Sequence, residues 1–113
     1  MLSARNRMRR SEDFSATIRR GARASSPRLV VHVDLTKDSS LVGFVVSRAV
    51  GNSVVRHRVT RRLRHIVREL LGTREVGHLV VRALPAAAQA PSDELRRDLV
   101  TALARAERKR VGT

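Results

Sequence analysis

One segment limits this chain more than any other: "NSVVRHRVTRRLRHIVRELL", residues 52–71. Wound at about 100° per residue, Val55, Val59, Leu63, Ile66 and Leu70 fall within an arc of roughly 80°. That stripe predicts a helix over 53–71 with Asn52 as its N-cap. A helix with a single apolar stripe must pack it against a second layer. The opposite side carries His57, Arg61, Arg64 and Arg68 within about 60° of one another. Arg56, Arg58 and Arg62 flank the core side, and no acid interrupts the run before Glu69.

Solvated helix faces usually mix signs, because opposite charges at i,i+4 stabilise and like charges destabilise. Here like charges stand at both i,i+3 and i,i+4, so the face is under repulsion in water and a polyanion relieves it. The excess extends to the whole chain. Lys plus Arg number 24 against 10 Asp plus Glu, a formal net charge of +14. Lys37 and Lys109 are the only lysines; the rest are arginines, whose planar donor fork suits phosphate oxygens and base edges. The possible partners are nucleic acid, an anionic membrane or an acidic protein.

A membrane fits poorly. The apolar stripe has ordinary core width and no aromatics, and no apolar run approaches the roughly 20 residues of a bilayer span. "MLSARNRMRRSEDF" lacks the apolar core of a signal peptide. There is no cysteine, which excludes a disulfide scaffold and cysteine zinc sites and fits a cytoplasmic location.

The other elements follow from pattern. Residues 1–10 read as a basic, irregular arm. "SEDFSATIRRG" reads as a short helix capped by Ser11, with Glu12 and Asp13 at its positive end, Arg19 and Arg20 at its negative end and Gly21 as its stop. "PRLVVHVDL", 27–35, alternates: Leu29, Val31, Val33 and Leu35 on one face, Val30, His32 and Asp34 on the other. "LVGFVVS", 41–47, is apolar on both faces and predicts a central strand, antiparallel to the previous one. "HLVVRAL", 78–84, is a further strand. Ser92 caps a last helix, which has Asp93 and Glu94 in its first turn and carries Leu95, Leu99, Ala102, Leu103 and Ala106 on its apolar stripe, with 108–113 as a flexible tail. The sum is one α+β domain over 1–113, a small sheet with helices packed on it.

No catalytic set of side chains stands out. Histidines 32, 57, 65 and 78 lack paired metal-ligand spacing. Nothing resembles the carboxylate cluster of a protein nuclease, and no phosphate-cradling glycine loop occurs.

"RNRMRRSEDF", Gly21, "GFVVSRAVGNSVVRHRVTRRLR" and "LVVRALPAA", taken in this order and spacing, resemble the protein subunit of bacterial ribonuclease P from about residue 5 to 106. The most specific piece is Gly51-Asn52 followed by the Arg56-His57-Arg58 box and by Arg61, Arg62 and Arg64. The resemblance implies an α-β-β-β-α-β-α order, a four-stranded sheet, an added short strand near 22–25 and a left-handed crossover at the basic helix. This is the fold of the second domain of a small-subunit ribosomal protein.

It further implies an endoribonuclease that removes the 5′ leader from precursor tRNA, with catalysis carried by a large RNA subunit and its Mg2+. The protein would bind no cofactor of its own, and one copy would serve each RNA. RNA binding would fall to Asn52, Arg56, His57, Arg58, Arg61, Arg62, Arg64 and Arg68, with Arg7 and Arg9. A leader cleft between the first helix and the sheet would include Phe14, Ile18 and His32. Three positions depart from the family pattern: His57 replaces the asparagine of the box, Thr60 replaces a basic residue, and Ile18 stands where relatives can have a second aromatic. His32 stands where some relatives have tyrosine. The rival classes are a small basic ribosomal RNA-binding protein and a DNA-binding protein with the basic helix in a major groove.

Overall fold

A computed structural model describes residues 3–112, with side chains as far as Lys109. Three α-helices, α1 (Ser11–Arg20), α2 (Ser53–Leu71) and α3 (Ser92–Gly112), surround four strands. The strands are β1 (Ala22–Ser25), β2 (Leu29–Asp34), β3 (Leu41–Val45) and β4 (His78–Ala83). They form one sheet in the order β1-β2-β4-β3. β2 is antiparallel to β1 and to β4, and β3 is parallel to β4 across the α2 crossover. The strand that only the resemblance implied, near 22–25, is β1.

Period-2 alternation divides the sheet into two faces. Leu29, Val31 and Val33 of β2 stand beside Ala83, Val81 and Leu79 of β4. With Val59, Leu63, Ile66 and Val67 of α2 and Leu95, Leu99, Ala102, Leu103 and Ala106 of α3 they form the core. α2 and α3 therefore cover one face. α1 crosses the other, where Val30, His32 and Asp34 stand opposite Arg82, Val80 and His78.

Two glycines set close approaches. A Cβ on Gly43 would lie 2.4–2.5 Å from the Phe14 ring, so α1 sits directly on β3 only because that position has no side chain. Gly77, at φ +68°, turns the chain into β4 where a Cβ would come within 2.5 Å of the Asp34 carbonyl oxygen.

The structure departs from the sequence pattern at several points. β3 is an edge strand, not a central one, and its strand neighbour is β4 rather than β2. Its two-sided apolarity has another cause. Phe14 covers Gly43 on one face, and the N-terminal arm shields the edge through an Arg7–Val42 bridge and a 2.8 Å bond from Met8 N to Val42 O. The arm is thus docked, with Met8 buried. β4 is buried on both faces except at Arg82 and takes the central place. Arg10 occupies the N-cap of α1 without a side-chain capping bond, and Ser11 and Ser92 are the first helical residues of α1 and α3. α3 runs on to Gly112, so the tail expected at 108–113 is helical through residue 112. Residues 1, 2 and 113 lie outside the described residues.

Candidate nucleic-acid interface

α2 spans the predicted residues, and Asn52 caps it as expected: its Oδ1 accepts from Val55 N at 3.0 Å. Val59, Leu63 and Ile66 are buried, and Val55 and Leu70 are partly buried. The opposite side faces water. His57, Arg58, Arg61 and Arg68 are exposed, while Arg56, Arg62 and Arg64 are half-buried. Among the described residues none of these six arginines forms an ion pair. Four acids are engaged elsewhere: Glu94 and Asp98 with Arg28, Glu107 with Arg74, and Glu69 with Arg96 and His65. Two shallow depressions on this helix are lined by Ser53, Val54, His57, Arg58 and Arg61, and by His57, Arg61, Arg64 and His65. Nε of Arg56 and of Arg64 is buried without a hydrogen-bond partner.

Arg62 differs from the others. Its Nη1 donates to Ala90 O at 2.8 Å, which ties α2 to the connector before α3. It holds the helix in place, and the sequence pattern alone does not separate it from its neighbours. Asn52 likewise uses its acceptor oxygen on the cap.

On the other side of the sheet lies a cleft of about 220 Å³, lined by Ile18 of α1, Arg23 of β1, Val30 and His32 of β2, Val45 of β3, and Val80, Arg82 and Leu84. Cross-strand register brings these together: Arg23 stands beside His32, His32 beside Val80, Val30 beside Arg82, and Val45 beside Arg82. His32 is buried on the floor, and its Nδ1 has no hydrogen-bond partner. Burial, then the guanidiniums of Arg23 and Arg82, hold its pKa below the usual histidine range. Ile18 is 45% exposed at the rim, an apolar surface left open to solvent.

Phe14 does not line this cavity. It is half-buried over Gly43, on the β3 end of the same face. Arg23 and Arg82 were missed in the sequence, yet the signal was present: His78, Val80 and Arg82 alternate, so a lone arginine shares the face of His32.

Arg7 and Arg9 meet Ala4, Arg5, Arg10, Asp13 and Leu41 around a third depression beside β3. Arg9 is exposed and Arg7 is half-buried. Among the described residues no three His, Asp or Glu side chains come together to ligate a metal ion, and no helix is long and apolar enough to cross a membrane.

An unpaired arginine row on one side of a sheet and an arginine-flanked, partly apolar cleft on the other define a small α+β protein built to hold polyanions. The chain belongs to the ribonuclease P protein family, whose model matches residues 2–107. It is 53% identical over 111 residues to the ribonuclease P protein component of Kocuria rhizophila, covering 96% of this chain and 98% of that one. It is 51% identical over 110 residues to that of Mycobacterium sp. strain KMS, covering 94% and 93%. The fold matches that of the ribonuclease P protein of Staphylococcus aureus with a TM-score of 0.78 at 21% identity, over 94% of this chain and 92% of that one.

Proposed function

We propose that this ribonuclease P protein subunit acts in 5′ maturation of precursor tRNA by holding two RNAs at once. The α2 row of Arg58, Arg61, Arg64 and Arg68, with Arg56 and His57 beside it, takes phosphates of the catalytic RNA subunit. The cleft of Ile18, Arg23, His32 and Arg82 takes the single-stranded leader, with Phe14 at its β3 end. One protein serves each RNA. The single observation that carries this reading is that, among the described residues, no acid pairs with the α2 arginines while Arg28, Arg74 and Arg96 are matched.

The chemistry follows from the side chains. Guanidinium–phosphate contacts are largely independent of sequence, as a subunit that meets many leaders requires. The apolar walls of the cleft, Val30, Val45, Val80 and Ile18, accept any base face, and Arg23 and Arg82 supply charge. In the free protein His32 is neutral near pH 7, because burial and two arginines disfavour its cation. Catalysis rests with the RNA partner, where bound Mg2+ supplies the cleaving chemistry. The protein's own part is to cancel repulsion between two polyanions and so position substrate.

The test is reconstitution with the RNA subunit and a precursor tRNA at low magnesium. The protein should lower the magnesium requirement and strengthen binding of substrates that carry a leader over those that lack one. Equal binding of both substrates, with no change in magnesium dependence, overturns the reading.

A further inference from the structure

The cleft lining reaches from Arg23 of the edge strand β1 to Val45 of the edge strand β3, and its two ends differ. At the β3 end Val45 is followed by residues 46–52, which lead directly into the N-terminus of α2. At the β1 end, α3 runs along the edge strand. Lys109 Nζ donates to Arg23 O at 2.7 Å, and Arg105 Nη1 to Ser25 O at 3.4 Å. Two cations therefore stand where another strand would otherwise pair. Arg19 and Arg20, in the last turn of α1, are exposed, and Arg23 lines the cleft itself.

Five cations thus lie in β1, bond to its backbone or stand in the helical turn just before it. Among the described residues, Arg19, Arg20, Arg23 and Arg105 form no ion pair. The α3 acids Glu94, Asp98 and Glu107 are held by Arg28 and Arg74.

We propose that this rim of Arg19, Arg20, Arg23, Arg105 and Lys109 is a distal leader site, taking the phosphates of single-stranded RNA after it has crossed the sheet. The proposal rests on the cleft being the leader site, and it fixes the direction of the strand. On that reading the catalytic centre belongs to the RNA partner seated on α2, so the scissile bond of the precursor tRNA lies towards α2. Nucleotides next to that bond enter at the β3 end, and those farther from it leave at β1. Four strands about 4.8 Å apart give a floor of about 14 Å. Stacked nucleotides at about 3.4 Å per phosphate fill it with about four. Only longer leaders reach the rim, so the rim makes affinity depend on leader length.

The experiment uses the reconstituted holoenzyme and precursor tRNAs with leaders of about 4 and about 12 nucleotides, with affinities measured from about 50 to 200 mM monovalent salt. The variant is Arg19→Gln/Arg20→Gln/Arg105→Gln. Each phosphate contact on a single strand contributes about 0.7 to the log–log salt slope, so three lost contacts lower it by about 2 on the long leader. Across that salt range wild-type affinity for the long leader then falls about 20-fold more than the variant's. The short leader binds both proteins alike. Arg19→Gln/Arg20→Gln alone, which touches no bond within the fold, should lower the slope by about 1.4. Equal slopes for wild type and both variants on the long leader overturn the proposal. His32→Ala keeps the two ideas apart, because it should weaken the short leader as well. If it does and the rim variants change nothing, only the distal site fails; if His32→Ala is silent on both leaders, the cleft reading itself fails.

Discussion

Neutralising the outward row of α2 as Arg61→Gln/Arg64→Gln/Arg68→Gln should weaken RNA binding without weakening the fold. Glutamine and arginine have similar helix propensity, so the helix itself is little changed. The substitution removes three like-charge neighbours: Arg58 with Arg61, Arg61 with Arg64, and Arg64 with Arg68. At about 0.2–0.5 kcal/mol each, relief of these pairs contributes about 1 kcal/mol of stability, which for a domain of this size is about 4 °C in Tm. The half-buried stem of Arg64 offsets part of that gain. Binding moves the other way. Three phosphate contacts on structured RNA account for about 2.7 of the log–log salt slope. Over a fourfold rise in salt, from about 50 to 200 mM, wild-type affinity for the RNA subunit falls about 40-fold more steeply than the variant's. The assay is a filter-binding titration of the RNA subunit at four salt concentrations, with a thermal melt of each protein alone. A variant with lower Tm and an unchanged salt slope would refute the reasoning, since the row would then be structural. An unchanged slope with unchanged Tm would refute it too, since the arginines would then be idle in both roles.

Three further outcomes are expected. Arg62→Ala breaks the charged bond to Ala90 O and should cost about 1.5–3 kcal/mol in chemical denaturation, while the salt slope of RNA binding moves by less than one contact. Gly43→Ala places a Cβ within 2.5 Å of the Phe14 ring and should cost about 1–3 kcal/mol by overpacking; Phe14→Leu in the same background should recover part of that, as a double-mutant cycle will show. His32 has its pKa depressed in the fold, so as pH falls the unfolded chain takes up its proton first. Stability should therefore be full above about pH 6.5, fall as pH drops below that value, and level off once the folded histidine is also protonated. His32→Gln should flatten this part of the stability–pH curve.

Helix α2 was legible almost to the residue because three independent signals coincide there: an asparagine cap, an apolar stripe and a gapless basic face. The α3 stripe and the two faces of β2 were legible for the same reason, since local period and burial agree. The sheet order was not. "LVGFVVS" is apolar on both faces, which ordinarily marks a central strand, but here a helix and the N-terminal arm cover it instead of a second strand. Long-range pairing of that kind leaves no trace in a window of seven residues. The cleft was half legible. His32 and Ile18 meet as expected, whereas Arg23 and Arg82 come from strands whose register with β2 only the fold decides. Arg62 looks like any other arginine of its motif until Ala90 is placed beside it.

The placement of acids bears on how so basic a chain packs its elements. α3 and the end of α2 contain Glu69, Glu94, Asp98 and Glu107, and each is paired with an arginine or histidine that joins two elements or two turns. Positive charge is therefore quenched where elements must pack, and left open on α2 and around the cleft among the described residues. Repulsion within the open regions falls largely on exposed side chains such as Arg58, Arg61 and Arg68, where water and salt screen it. The fold thus tolerates the excess charge at modest cost in free solution. On the proposed function, the same excess becomes favourable when phosphates arrive.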